Sequence, residues 1–222
     1  MIVMQTTEII ELPTVLQSVL QTILFSAGLF FIFRLIYAKN KMCGTLAFLG
    51  GILITLGETF KTLQVISIAS GAGDKPSFGN SLLVFLPAGL ICVVFAFWRS
   101  GRRDEAMNLS HVWTFPLFLI AVVWAVAGYI GFFTHGKAWF YILLSAAALA
   151  NIVLILQLLG RSLKPSPVWF AVGLFIVNLI IILSFYKSMN PDFGQQGFNQ
   201  LLLTFGQGSF AGGAWLLLKK ES

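Results

Sequence analysis

Residues 112–133 read VWTFPLFLIAVVWAVAGYIGFF, an unbroken run without a charged side chain. A helix needs about 20 apolar residues to cross roughly 30 Å of hydrocarbon, so this run reads as a transmembrane span. Six further stretches share its character, at about 14–36, 43–65, 80–98, 138–158, 167–187 and 198–218. Strands do not fit: barrel strands of about 10 residues alternate in polarity, and an isolated strand leaves its backbone groups unsatisfied in lipid. Composition points the same way. Only 10% of the 222 residues are charged, against roughly 25% in an ordinary soluble domain, too few to cover a water-facing exterior. The sequence predicts an all-α integral membrane protein, a single bundle of seven transmembrane helices in contact with the lipid bilayer.

Lys and Arg are biased toward cytoplasmic loops, and here they are unevenly distributed. Alternate connections carry Arg34, Lys39, Lys41, Arg99, Arg102, Arg103, Arg161, Lys164, Lys219 and Lys220, whereas the opposite set carries Lys75, Lys137 and Lys187. The expected orientation therefore has the N-terminus outside and the C-terminus in the cytoplasm. The expected location is the plasma membrane, a bacterial inner membrane. The net charge of +6 is a topological signal and gives no reason to expect a nucleic-acid partner. The basic loops are expected to meet anionic headgroups. Residues 1–13 carry Glu8 and Glu11 and no basic n-region, so they read as a short external segment rather than a signal peptide. Cys43 and Cys92 fall in the cytoplasmic halves of their spans, so no disulfide is expected, and two sulfurs make no metal site. The longer loops, 68–79, 99–111 and 188–197, are rich in turn residues and read as connections, not as a soluble domain.

Seven helices with an external N-terminus are compatible with a 3+1+3 parallel repeat, two three-helix units joined by an inverting helix. IFRLIYAKNK (32–41) aligns with ILQLLGRSLK (155–164), and NSLLVFLPAG (80–89) with NQLLLTFGQG (199–208). FKT (60–62) and YKS (186–188) occupy comparable outer ends. This layout resembles that of the sugar-transporting SWEET and PQ-loop families in topology. No PQ dipeptide occurs, and the prolines do not fall at matching places in the two halves.

Within the spans, polar groups are costly, face the bundle interior and raise a functional hypothesis. Glu58 and Lys61, in GETFKTLQ, lie three residues apart in the outer half of the second span and share a helix face. Ala47, Gly51 and Thr55 continue that stripe as a small-residue edge suited to close helix packing. The seventh span places Gln200, Thr204 and Gln207 on one face, beside small residues such as Gly208 and Gly212. Gln17 and Gln21 lie near the outer end of the first span, and Asn151 and Asn178 near the middle of the fifth and sixth. If the first, second and seventh helices meet, these groups line an outward-opening polar site. The structural alternative is an ion pair and interhelical hydrogen bonds that serve packing alone, with Lys61 snorkelling outward. Pro87 and Pro116 are expected to kink their helices.

Catalytic chemistry finds little footing. His111 and His135 fall on opposite sides of the membrane, so they cannot share a metal or a haem. Ser209 has no histidine on its side and depth to activate it. No cofactor or enzyme activity is expected. The first expectation is a protein that binds or transports a small polar solute at Glu58, Lys61, Gln207, Thr204, Gln200, Gln21 and Asn178. The alternative is a non-catalytic subunit, assembly factor or ligand-sensing bundle that acts through membrane-protein partners.

Overall fold

The structure, a computed structural model, describes residues 12–73, 75–101, 109–134, 137–159 and 196–221. Among these, six helices are present: α1 (Leu12–Lys39), α2 (Lys41–Ala69), α3 (Pro76–Ser100), α4 (Leu109–Thr134), α5 (Ala138–Leu159) and α6 (Gln196–Glu221). The expected sixth span, 167–187, lies outside the described residues, and the expected seventh falls within α6. The helices α1 to α5 each contain a stretch long and apolar enough to cross a bilayer. Each outruns its expected span by up to four residues at an end, because hydropathy marks the hydrocarbon-buried part while the helix continues into the interface. Pro87 and Pro116 sit inside α3 and α4, and both helices are continuous through them.

Local chemistry explains the sharp joints. Asn40 alone separates α1 from α2; its backbone is extended, and its side chain accepts hydrogen bonds from the amides of Met42 and Cys43, each at 3.0 Å. Two orphan amides at the start of α2 are thereby satisfied. A Cβ on Gly44 would come within 2.6 Å of Tyr37 Cα, so this turn requires glycine there. At the far end of α2, Gly71 and Gly73 take φ of 75° and 85°, a region closed to most side chains, and Pro76 opens α3.

The first five helices pack in sequence order, each against the next, with α5 also reaching α3. Among the described helices α6 contacts α1 alone. The α2–α3 contact is antiparallel and built on glycine. Gly50 faces the Gly89 carbonyl, Ile54 fits over Gly89, and Gly57 receives Leu82. At these glycines the two backbones pack closely; the Ala47–Gly51–Thr55 edge faces α1 instead, where a Cβ on Gly51 would meet Leu29 at ordinary van der Waals distance. The α1–α6 contact is parallel, since Gln21 meets Thr204, Leu24 meets Gly208, and Phe210 and Ala211 close on Gly28.

That geometry sorts the charges. One end of the bundle gathers Arg34, Lys39, Lys41, Arg99 and Lys219, and the other holds Lys75 and Lys137 among the described residues. Outward faces are apolar. On α4, Phe115, Phe118, Tyr129, Phe132 and Phe133 are exposed, a surface that water would not tolerate and lipid does. The chain is a multi-pass membrane protein.

The Gly50–Gly89 contact makes a signed prediction. Alanine for glycine in a helix ordinarily stabilises by about 0.5–1 kcal/mol. Gly50→Ala drives its Cβ to 2.6 Å from Gly89 O and should instead destabilise by about 1–3 kcal/mol. Gly128→Ala, whose Cβ meets nothing within 4 Å, should be neutral or stabilising. Reversible unfolding in detergent compares the two.

Candidate functional site

The polar residues of the bundle concentrate on the two flanks of α1. Helical spacing puts Gln17, Gln21 and Gly28 on one flank, against α6, and Thr22, Ser26 and Leu29 on the other, against α2. Between the flanks Ser18, Phe25, Ile32 and Ile36 are buried.

On the α6 side, the amides of Gln17 and Gln21 both donate to Thr204 Oγ1, at 3.2 and 3.0 Å. One threonine oxygen thus ties two turns of α1 to α6. Below this polar knot the contact becomes aromatic, with the rings of Phe25 and Phe210 at 5.2 Å and Gly28 leaving room for Phe210. Next to Thr204 on α6 lies Gln207, only 1% exposed, whose buried carbonyl Oε1 accepts no hydrogen bond among the described residues. Gln200 lies one turn from Thr204 in the first turns of α6.

On the α2 side runs a ladder of hydroxyls. Thr22 and Thr62 share a hydrogen bond at 2.9 Å, Ser26 and Thr55 another at 3.2 Å, and Thr62 also donates to Ser18 O at 3.4 Å. Ser18 and Ser26 each donate to the carbonyl four residues back, at 3.0 and 2.7 Å. Such back-bonding satisfies a hydroxyl inside a helix and leaves its oxygen free to accept across the interface.

Glu58 lies in the C-terminal half of α2, one turn from both Thr55 and Thr62. Its residue is 6% exposed, and Lys61 Nζ stands 3.6 Å from its Oε2. Lys61 is more open, its side chain 30% exposed. A charge-assisted hydrogen bond is about 2.7–2.9 Å long, so this pair is an ionic contact without a tight bond. A carboxyl group offers several acceptor positions, and among the described residues the contact of Glu58 is with Lys61. Among the described residues, the buried Glu58 carboxylate on the α2 flank and the Gln207 carbonyl on the α6 flank each keep acceptor capacity that a hydrogen-bond donor could use.

The structure places the expected residues as follows. Glu58 and Lys61 pair as the spacing implies, and Gln21 joins Thr204 across the α1–α6 contact. The helix α1 touches both α2 and α6. Among the described residues α2 and α6 do not contact each other, so the polar groups form two seams rather than one wall. The side chain of Gln200 and the whole of Asn178 lie outside the described residues. Asn151 is buried on α5. Gln17 and the hydroxyl ladder complete the seams; the ladder was signalled by the i, i+4 series Ser18–Thr22–Ser26 on an apolar helix.

Glu58, Lys61 and Gln207 line neither of two crevices in the bundle. One, of about 220 Å³, lies between α1 and α2. The other, of about 350 Å³, lies among α3, α4 and α5 beside Trp124, Gly128, Gly131 and Trp139. Trp124 donates its indole N–H to Val84 O at 3.1 Å there. No family model matches the chain, and no curated protein or solved structure is detectably similar to it.

The Thr204 junction yields a prediction. Thr204→Val keeps the shape and removes the oxygen that accepts from Gln17 and Gln21. Interhelical hydrogen bonds in membranes average about 0.6 kcal/mol and reach about 1.7, so a loss of roughly 0.6–2 kcal/mol in unfolding free energy is expected. Thr204→Ser retains the oxygen and should lose less than half of that.

Proposed function

We propose that the chain is a seven-helix bundle, N-terminus outside, that binds or transports a small donor-bearing solute at Glu58. A cation, an amine or a hydroxyl-rich molecule fits this description. The observation that carries the proposal is the Glu58 carboxylate: buried at membrane depth, held by a 3.6 Å contact to Lys61 and otherwise unused. A lone carboxylate in such surroundings costs several kcal/mol, and a loose partner offsets that without saturating it. An incoming donor replaces Lys61 on the carboxylate, and Lys61, one turn nearer the outer end, swings toward water. Gln207 Oε1 offers a second acceptor on the far flank of α1.

Helix parity supports the seven-span count. Each of α1 to α5 reverses its predecessor, so α5 ends at the basic end of the bundle. Because α6 is parallel to α1, it starts at the opposite end. The sequence between α5 and α6 contains the apolar stretch 167–187, long enough by composition for one further span, which gives an odd count of seven. The charge asymmetry of the two ends supports a cytoplasmic location for the α1–α2 turn and, with it, an outward position for Glu58. A plasma membrane, such as a bacterial inner membrane, fits this orientation.

The test is a thermal-unfolding panel on the purified protein, with sodium, potassium, ammonium, primary amines, amino acids and sugars as probes. A cationic or hydroxyl-rich compound should raise the unfolding temperature of the natural chain. Glu58→Gln should abolish that shift while remaining folded by circular dichroism. A response to anions alone, or an undiminished shift in Glu58→Gln, contradicts the proposal. No response to any probe contradicts it as well and favours a subunit that works through protein contacts.

A further inference from the structure

We infer that the crevice between α1 and α2 is a binding site for an anionic phospholipid of the leaflet nearest the α1–α2 turn. It requires only that the bundle spans a bilayer and is independent of the solute reading at Glu58. The crevice, about 220 Å³, is lined by Ser26, Phe30, Phe33, Phe48, Gly51 and Thr55 among others. Phe30 and Phe48 at its mouth are 51% and 48% exposed, so it opens away from the bundle core toward lipid. Phe33 forms one side, with its ring 5.1 Å from Phe48 and 5.5 Å from Tyr37. Gly51 keeps the floor low, because it has no side chain to fill the slot.

The slot is apolar in effect despite its two hydroxyls. Ser26 donates to Thr22 O at 2.7 Å and lies 3.2 Å from Thr55 Oγ1, so the polar floor satisfies itself. A methylene chain can lie over it without stranding a donor. Apolar slots of this kind are filled by apolar ligands rather than water.

Charge at one mouth selects the lipid. Arg34 lies one helical turn beyond Phe30 on α1, and Lys41 two turns before Phe48 on α2, so both project on the faces that frame the crevice. Both are exposed, and the ion pair among the described residues is Lys61–Glu58, at the other end of α2. From Ser26 to Arg34 is about 12 Å at 1.5 Å per residue, close to the roughly 15 Å half-thickness of the hydrocarbon. An acyl chain in the slot therefore brings its phosphate level with the two cations. A zwitterionic lipid fills the slot equally well and gains less from Arg34 and Lys41, since each basic residue near an anionic surface favours binding by about fivefold.

The test is lipid retention by native mass spectrometry, after purification into detergent with equal phosphatidylglycerol and phosphatidylcholine. The natural chain should hold one phosphatidylglycerol, preferred on the order of twentyfold. The double variant Arg34→Gln, Lys41→Gln should lose that preference and keep residual binding of both lipids. Gly51→Leu, which fills the slot and leaves the cations, should lose retention of both. Lys219→Gln with Lys220→Gln should change the preference by less than about twofold. No preference in the natural chain, retention in Gly51→Leu, or an equal loss in the Lys219/Lys220 variant overturns the inference. So does a concentration-dependent dimer whose dissociation depends on Gly51, which would place a second copy in the crevice.

Discussion

In hydrocarbon a polar group has no water to return to, and this constraint organises the bundle around α1. Each hydroxyl and amide on that helix must find a partner on its own turn or on a neighbour. The Gln17–Gln21–Thr204 junction and the Ser18–Thr22–Ser26 ladder are the two solutions, and they hold α6 and α2 on opposite flanks. Weak bonds suffice for this. Their value lies in register: a shift of α6 by one residue would separate Thr204 from both glutamines and push Phe210 off Gly28.

Glycine supplies the second half of the packing. Apolar burial does not drive helices together when the solvent is itself apolar, so close contact and dispersion must do so. The α2–α3 pair uses Gly50, Gly57 and Gly89 to bring backbones near, and the α1–α6 pair uses Gly28 to accept a ring. With α2 fixed between α1 and α3, Glu58 is held at a buried position that solvation alone would disfavour. The ion pair depends on the packing more than the packing depends on the ion pair.

Much of this was legible in the sequence. Apolar runs near 20 residues located five spans and most of α6, because length and hydropathy are what the bilayer selects. The i, i+3 spacing of Glu58 and Lys61 foretold their pairing, since it follows from helix geometry alone. The Ala47–Gly51–Thr55 stripe was legible as a contact edge, and its partner was not: neighbour choice depends on tertiary packing, and α3 took the Gly50–Gly57 face instead. The split of the polar residues into two seams was hidden for the same reason. A face can be read from periodicity; whether two faces converge on one pocket requires knowing that α1 stands between α2 and α6. Asn178 and the side chain of Gln200 fall outside the described residues.

The proposed solute site at Glu58 requires that α2 turn Glu58 and Lys61 toward a water-accessible interior while Leu56 and Leu63 face lipid. The most direct measurement is thiol labelling along residues 55–66, one cysteine at a time, in a chain with Cys43 and Cys92 replaced by alanine. A membrane-impermeant reagent is added from the outside to the protein in sealed vesicles. Modification at positions 58 and 61, with protection at the exposed apolar positions 56 and 63, is expected. Protection of 58 and 61 together with their flanking positions would contradict it and reduce the pair to a packing device.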